Sequence, residues 1–486
     1  MAYNHGVRIL ENPTSLTAPI LGTAAFQVVV GVSPVNLAED PYKATNVVKL
    51  AYSFPEASAA VGYSNNLKDY NLNQSISATF KKFAVAPIAL INVLDPKKHK
   101  DSIPKTTCQV GDLQATVSIE GILLDTLVVE SGETTLQADV DYITGFDDDG
   151  YAVITLLESG AGAEATALSV SGDKIDPSQV TSKDIIGGYN VSTGKESGLE
   201  LVRQVYPLFA MTPGLLTSPG YSKDPAVASV MAAKCLNING LFTCECITDL
   251  DSTAEGATKY TDVKTVKEKS GFVSEHMAVV WPKVRIGDEV YYFSALYSAL
   301  IAYVDASNDD VPNLSASNKA IPITGLCLDD DEDSEIVIDQ EQANLVNSFG
   351  VSTAINFNGF RSWGNNSAAY PMTTDPKDRW FCCRRFFSWW GNSFILSYFQ
   401  KVDDPTDPRL IQSICDAENI RGNSYVAQGK CAGARITYSE DENPITDILN
   451  GKIQFHQYLA PYTPAEDILN VLEFDPTMLE AALGGE

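Results

Sequence analysis

The sequence lacks several features that define common classes of protein. No apolar run reaches the roughly 18 residues that a membrane-spanning helix needs, and the first residues show no basic and apolar regions of a secretory signal. We therefore expect neither membrane insertion nor secretion. Basic residues are scarce, with 34 Lys and Arg against 62 Asp and Glu, which gives a net charge of −28. Such a charge repels phosphate backbones, so we expect no direct nucleic-acid partner.

Metal and disulfide patterns are also missing. The chain has only four histidines, and none of its nine cysteines forms a CxxC pair. The acidic run Asp147–Asp149 lacks the spacing of a calcium loop. These absences predict no metal and no cofactor. An odd cysteine count excludes complete intrachain pairing, so we expect reduced thiols, and any disulfide of Cys108, Cys382 or Cys383 would join neighbouring copies.

What remains is a folded chain of 486 residues, of which 44% are hydrophobic. That length suggests about three domains. Changes in composition predict an extended N-terminal arm, a core made of two parts, a domain inserted between them, a C-terminal domain and a tail. The boundaries of these units, in that order, are 1–24, 25–96 with 184–364, 97–183, 365–474 and 475–486.

The two core segments have the pattern of an α/β layer. A buried strand at 26–30 (FQVVV), a helix at 73–83 and a strand at 88–94 follow each other, which favours parallel pairing. Farther on, Asp224 before Pro225 predicts the start of a helix, and Asp339 with Gln342 predicts a capping box. A long helix is expected from Ser294 to Asp305, with its apolar side chains, Tyr303 included, facing inward.

The segment 97–183 has a different pattern, because short β-prone runs alternate with Gly and Asp and no long helix is indicated. It is also acidic, with four lysines and 15 acidic residues between Lys100 and Lys183. We interpret it as an antiparallel β domain inserted into the core. Its acidity fits a solvated outer surface.

The C-terminal part is rich in aromatic residues and locally basic. Residues 376–435 contain nine Lys and Arg against six Asp and Glu. A hairpin is predicted from the two β-prone runs ARITYSE and KIQFHQYLAP, and the closing run EDILNVLEF has the pattern of a final strand.

Taken together, these segments resemble those of contractile tail sheath proteins, the family found in contractile bacteriophages and related injection particles. The resemblance rests on six stretches in the family's order: HGVRILEN, FQVVVGVSPVN, IALINV, GVSTAINFNGFRSWGN, RWFCCRR and QFHQYLAPYTPAEDILNVLEF. It covers both ends and the middle of the chain, whereas 97–183 carries little of it. By this resemblance, RWFCCRR should be a strand that opens the C-terminal domain.

The resemblance implies an α+β multidomain fold with a subtilisin-like α/β core and a C-terminal domain that faces a tube. It implies a structural function without enzymatic activity: stacked rings, hexameric in the family, polymerise around an inner tube and contract to drive it through a cell envelope. The implied partners are other copies of the chain, the inner tail tube protein, the baseplate and the tail terminator. The implied location is a virion tail assembled in the cytoplasm of a bacterial host.

Both ends of the chain have the composition of strands that join subunits. Residues 1–24 could span on the order of 80 Å when extended. Both terminal runs would add as strands to sheet edges of other copies, and their apolar side chains would pack against those copies. These residues are Val7, Ile9 and Leu10 at the start, and Ile468, Val471 and Leu472 at the end.

The resemblance also implies that a helix of the C-terminal domain grips the tube. The matching segment is 408–426, where Leu410, Ile411 and Ile414 should face the domain. Its charged residues would then contact the tube through moderate polar contacts. These residues are Arg409, Asp416, Glu418 and Arg421.

A subtilisin-like hydrolase is the alternative function. Asp249 or Asp251, His276 and Ser352 occur in the chain order of a subtilisin triad. However, the residues after Ser352 indicate a strand and a loop where a nucleophile needs a turn into a helix.

A nucleotide site is not indicated either, because Gly188–Glu196 departs from a phosphate loop in spacing and in its last residue. The sequence therefore favours the structural function.

Overall fold

The computed structural model describes residues 20–484 and shows helices mixed with several sheets. The predicted α+β class is confirmed, whereas the expected strand at 7–10 lies outside the described residues. The strands are β1 (Ile20–Leu21), β2 (Gln27–Gly31), β3 (Val48–Ala51), β4 (Val85–Ala86), β5 (Ile88–Asn92), β6 (Lys100–Gln109), β7 (Gln114–Val117), β8 (Val128–Ser131), β9 (Thr134–Thr135), β10 (Tyr142–Phe146), β11 (Ala152–Leu156), β12 (Ala167–Ile175), β13 (Gly188–Asn190), β14 (Lys195–Ser197), β15 (Leu215–Thr217), β16 (Glu245–Asp249), β17 (Met277–Val280), β18 (Lys283–Ile286), β19 (Glu289–Tyr291), β20 (Gly325–Cys327), β21 (Glu335–Ile336), β22 (Val351–Asn356), β23 (Phe360–Trp363), β24 (Cys431–Thr437) and β25 (His456–Pro461).

The helices alternate with these strands over most of the chain. They are α1 (Phe54–Val61), α2 (Asn71–Ile76), α3 (Ser182–Ile186), α4 (Val205–Phe209), α5 (Pro225–Leu236), α6 (Val263–Ser270), α7 (Phe293–Ala306), α8 (Gln340–Ser348), α9 (Pro376–Arg379), α10 (Phe381–Tyr398), α11 (Pro408–Ala427), α12 (Ile445–Leu449) and α13 (Pro476–Leu483). A π-helical turn, Ser77–Lys82, extends α2.

An eight-stranded sheet forms the centre of the molecule. Its strand order is β23-β22-β17-β16-β15-β2-β5-β3. The six inner strands pair in parallel, and the two edge strands, β23 and β3, are antiparallel to their neighbours. The parallel layer predicted from strand, helix and strand is thus confirmed.

Both faces of this sheet are covered, as the continuous apolar run of β2 predicts. All five residues of β2 are buried. Val28 and Val30 pack into the large core, which includes residues of α5 and α7, whereas Val29 packs into a smaller cluster with Leu72 and Ile76. Because successive side chains of a strand point to opposite faces, each face has its own apolar layer.

Local helix signals in the core segments are confirmed with one exception. Asp224 accepts a hydrogen bond from the Ala226 amide at the start of α5, and Asp339 with Gln342 forms a complete capping box at α8. Tyr303 was predicted to face the core, but it is exposed on α7. Inward positions on a helix depend on which side another element covers, and spacing alone does not fix that side.

Strands β6 to β12, which in sequence lie between β5 and β15 of the central sheet, form two antiparallel sheets of their own. They enclose a hydrophobic cluster of their own, which includes Ile103, Val117, Ile154 and Val170. The predicted antiparallel β structure of this segment is confirmed.

The aromatic C-terminal segment corrects one prediction. RWFCCRR was expected to be a strand, but its residues from Phe381 onward open the 18-residue helix α10. The apolar positions Cys382, Phe386 and Trp390 recur every four residues and are buried, which is the helical period. A continuous apolar run allows either structure, and the longer periodic pattern decides it.

A buried ion pair joins α7 to α10. The guanidinium of Arg385 donates through Nη1 and Nη2 to the Asp305 carboxylate, and both side chains are almost fully buried. Burial raises the pKa of Asp305, and Arg385 opposes that rise. Ser388, one turn farther along α10, donates to Glu245 on β16 at 2.6 Å. The central sheet and the C-terminal helices are therefore joined through buried charged groups, each of which would be destabilising without its partner.

We expect Arg385→Leu to lower the free energy of unfolding by about 3–5 kcal/mol, because it leaves the Asp305 carboxylate buried without a partner. Denaturant-induced unfolding measures this loss. Asp305→Leu with Arg385→Leu should recover much of the stability, since no buried charge remains. An equal loss in the single and double variants would contradict the role of the ion pair.

Candidate functional site

The C-terminal run that was predicted to link subunits is exposed. Ile468, Val471 and Leu472 are 84%, 76% and 88% exposed, and residues 463–475 have no regular secondary structure. The predicted strand EDILNVLEF is therefore absent from the isolated subunit. A strand requires a partner edge, and within residues 20–484 this segment pairs with none. Val7, Ile9 and Leu10 lie outside the described residues.

The chain enters this exposed run from the C-terminal hairpin. Strands β24 and β25 pair antiparallel, as predicted, with Arg435 opposite Tyr458. In the described part of the chain they pair only with each other. A two-stranded sheet leaves backbone donors and acceptors unpaired along its outer edges. On β24 the Asn419 side chain already accepts from the Ile436 amide and donates to the Ile436 carbonyl. The outer edge of β25 is therefore the one that can accept a further strand.

Helix α11 was predicted at 408–426 and is present at Pro408–Ala427. The side chain of Asp407 accepts a hydrogen bond from the Leu410 amide and caps its start. Ile414 is buried, and Leu410 and Ile411 are half-buried. The predicted inner face is confirmed.

Two of the four charged residues predicted to contact a tube lie inside the domain. Glu418 is buried and accepts hydrogen bonds from Tyr398 Oη at 3.2 Å, Gln457 Nε2 at 2.9 Å and Arg421 Nη1 at 3.3 Å. It therefore connects α10, α11 and β25.

The other member of this pair, Arg421, packs its guanidinium 4.1 Å from the ring centre of Trp390. Burial lowers the pKa of Arg421, and the Glu418 carboxylate opposes this. The alternation of charges in the sequence did not show which side the hairpin covers. Of these two residues expected to contact a tube, Glu418 is buried and Arg421 is half-buried.

The outer face of α11 contains the other two predicted residues and one that the sequence interpretation missed. Arg409, Asp416 and Ile420 are exposed and share this face, with Ile420 70% exposed. The spacing of seven and then four residues was the available signal, because it keeps side chains on one side of a helix.

The residues in triad order do not meet. His276 is buried, and its Nδ1 lies 3.4 Å from Glu245 Oε1 on β16. Asp249 is buried and accepts hydrogen bonds from Ser222 and Ser294. Burial raises the pKa of Asp249, and these hydrogen bonds oppose the rise. Ser352 lies within strand β22, as its sequence context predicted. Each candidate is thus occupied in core packing.

Eight of the nine cysteines are buried and do not present a thiol to another subunit, whereas Cys415 is half-buried. All nine are free, and Cys108, Cys382 and Cys383 are buried within the subunit. Between residues 20 and 484, no group of three or more His, Cys, Asp and Glu side chains is arranged to hold a metal ion. None of the described helices combines the length and apolarity required to cross a membrane.

Comparison with known proteins agrees with this architecture, although no family model matches the chain. The chain is 24% identical over 500 residues to the tail sheath protein of Burkholderia phage BcepMu, with 99% of each chain covered. Its fold matches a chain of the contracted PVC sheath complex, an extracellular contractile injection system, with a TM-score of 0.58, 13% identity and coverage of 98% and 99%. A chain of the baseplate of the anti-feeding prophage matches with a TM-score of 0.56, 14% identity and coverage of 98% and 100%.

The chain is thus similar over its full length to a phage tail sheath protein, and it shares its fold with a chain of a contracted sheath complex. The sequence-based prediction of a contractile tail sheath protein is thereby confirmed. The alternative of a subtilisin-like hydrolase has no support among these relatives.

The contacts of Glu418 yield a test of the corrected assignment. We expect Glu418→Gln to lower the free energy of unfolding by about 1–3 kcal/mol, because three hydrogen bonds to a buried carboxylate are weakened or lost. Asp416→Asn, two residues away on the exposed face, should leave stability within about 0.5 kcal/mol. Denaturant-induced unfolding of both variants measures the difference. Equal losses of stability in the two variants would contradict the buried position of Glu418.

Proposed function

We propose that the chain polymerises into stacked rings of six around an inner tube and contracts to drive that tube through a cell envelope. The observation that carries this proposal is the exposed apolar run near the C-terminus. Four of its side chains, Ile468, Leu469, Val471 and Leu472, face solvent in the isolated subunit. Burying one such side chain stabilises by about 1.5–3 kcal/mol. A segment of this composition is suited to a partner surface.

The partner surface that fits is the β24–β25 hairpin of another copy. The outer edge of β25 supplies the backbone groups, and the run 468–474 supplies the backbone and the apolar side chains of an added strand. No Lys or Arg follows Lys452, whereas residues 376–435 are locally basic. This charge difference favours pairing between the arm of one copy and the C-terminal region of the next. The N-terminal arm, 1–24, is proposed to link copies in the same manner.

The outer face of α11 is proposed to contact the tube. It combines Arg409 and Asp416 with the single exposed apolar residue Ile420. Exposed ion pairs contribute about 0.2–1 kcal/mol each, so such a face binds weakly per subunit and firmly when repeated. This composition suits a contact that must release during contraction, because each subunit binds weakly.

The remaining parts of the proposal follow from the fold and the relatives. We propose the five units and boundaries given by the sequence, a subtilisin-like core without enzymatic activity, and the inserted β domain on the outside of the sheath. The two ends of the polymer would meet a baseplate and a tail terminator. The particle would be a virion or injection-particle tail assembled in the cytoplasm of a bacterial host.

Deleting residues 1–22, or ending the chain after Pro464, should leave a folded subunit and abolish ordered tubes, because the links between copies are removed. Electron microscopy and sedimentation measure tube formation, and circular dichroism measures folding. As matched single changes, Leu472→Asp should weaken assembly and Asn470→Asp should not, since both add one negative charge and only the first removes an apolar side chain. Normal tubes from both truncations would refute the links.

Arg409→Glu with Ile420→Glu should allow polymerisation but weaken the hold on the tube. We expect contracted, empty sheaths to replace extended particles, because the proposed contact face changes charge and loses its apolar residue. Leu449→Glu, an exposed position on α12 in the same region, is the control and should give extended particles. Extended, tube-filled particles at normal yield from the double variant would move the tube contact to another surface.

A further inference from the structure

The N-terminal arm leaves the body of the subunit at a carboxylate clamp. Asp310 accepts four hydrogen bonds from two consecutive residues. The Thr23 amide lies 2.8 and 2.9 Å from its two carboxylate oxygens, Thr23 Oγ1 lies 2.6 Å away, and the Ala24 amide lies 2.8 Å away. One side chain thus satisfies both amides at the point where the arm begins.

The position of Asp310 is itself fixed by the turn after α7. Its backbone has a φ of 58°, and its amide donates to the Asp305 carbonyl at 2.9 Å. Asp305 is the residue that pairs with Arg385 in the core. The backbone of Asp310 is therefore hydrogen-bonded to the same residue, Asp305, that forms the buried ion pair. This contact orients the Asp310 side chain.

The residue before the clamp has little room to move. Gly22 lies so close to α7 that a Cβ atom there would approach Ala306 Cβ to 2.7 Å. Its amide donates to the Ala86 carbonyl at 2.8 Å, and Ile20–Leu21 pairs in parallel with Val85–Ala86. Backbone contacts and the carboxylate together hold residues 20–24 against the body of the subunit.

The C-terminal arm leaves at a guanidinium clamp. Arg379 Nη2 donates to Glu466 Oε2 at 2.6 Å, two residues before the exposed Ile468. The guanidinium lies 3.9 Å from the ring centre of Trp380 and 4.5 Å from that of Tyr370. Its Nε donates to Asn366 Oδ1 at 2.9 Å. Arg379 is thus oriented on three sides before it meets the arm.

We propose that Asp310 and Arg379 are positioning residues that fix the directions in which the two terminal arms leave the subunit. This inference rests on the proposed function of the arms as links between copies. A tethered segment binds its target with an effective concentration that depends on the geometry of its attachment. Fixing the exit also reduces the conformational freedom that is lost on binding. Each clamp would therefore act on assembly more than on folding.

The test measures assembly and folding of the full-length chain side by side. Asp310→Asn and Glu466→Gln should each raise, by about tenfold or more, the subunit concentration at which half of the protein sediments as sheath. Their thermal midpoints should stay within about 2 °C of the original, because losing the charge of one partly exposed carboxylate costs little against the unfolding entropy of a chain of this size. Asp112→Asn, at another exposed residue with positive φ, and Asp467→Asn, beside Glu466, are the controls and should change neither quantity.

A charge exchange separates positioning from simple loss of a contact. Arg379→Glu alone should impair assembly, and Arg379→Glu with Glu466→Arg should restore it. Unchanged assembly of the clamp variants, while the arm truncations abolish tubes, would overturn the positioning role and leave the arms as links. A fall in thermal midpoint that accounts for the loss of assembly would also overturn it. Normal assembly of the truncations themselves would refute the proposed function instead.

Discussion

The buried contact between Asp305 and Arg385 is the interaction on which the arrangement of the subunit depends. It fixes α10 against α7, and α7 packs on the central parallel sheet. On one side the turn after α7 presents Asp310 to the N-terminal arm. On the other side α10 carries Trp390, against which Arg421 of α11 packs. Two charges that cannot be separated without a large desolvation cost thus orient both residues 23–24 and helix α11.

Local signals in the sequence predicted local structure well. The helix starts at Asp224 and Asp339 and the strand FQVVV depend on residues within a few positions of each other, and the structure has all of them. The run RWFCCRR alone did not distinguish a strand from a helix, because the apolar spacing of its residues fits both periods. Its helical structure becomes evident only from the later buried positions of α10.

Predictions about surfaces were less accurate for a different reason. Whether Glu418 faces solvent depends on the hairpin residue Gln457, which is 39 positions away in sequence. Tyr303 similarly stays exposed on α7, although its ring lies 5.9 Å from that of Phe83, 220 positions away in sequence. The run EDILNVLEF has the composition of a strand, but its partner edge belongs to another copy in the function we propose. Sequence pattern records the preference of a segment, whereas burial depends on what the rest of the fold brings beside it.

A net charge of −28 places a further constraint on a protein that assembles with itself, because like-charged copies repel at long range. Cohesion must then come from short-range contacts, in which apolar burial and backbone pairing outweigh screened repulsion. The exposed groups of this subunit are divided accordingly. Most acidic residues lie on the inserted β domain and the core, the exposed apolar run is confined to the C-terminal arm, and the local excess of basic residues lies beside the hairpin. In the function that we propose, an arm of fixed direction would bring the apolar run to a partner while the acidic bodies stay apart. In such a polymer the arms would preserve connectivity, and changes in the packing of the bodies would distinguish an extended lattice from a contracted one.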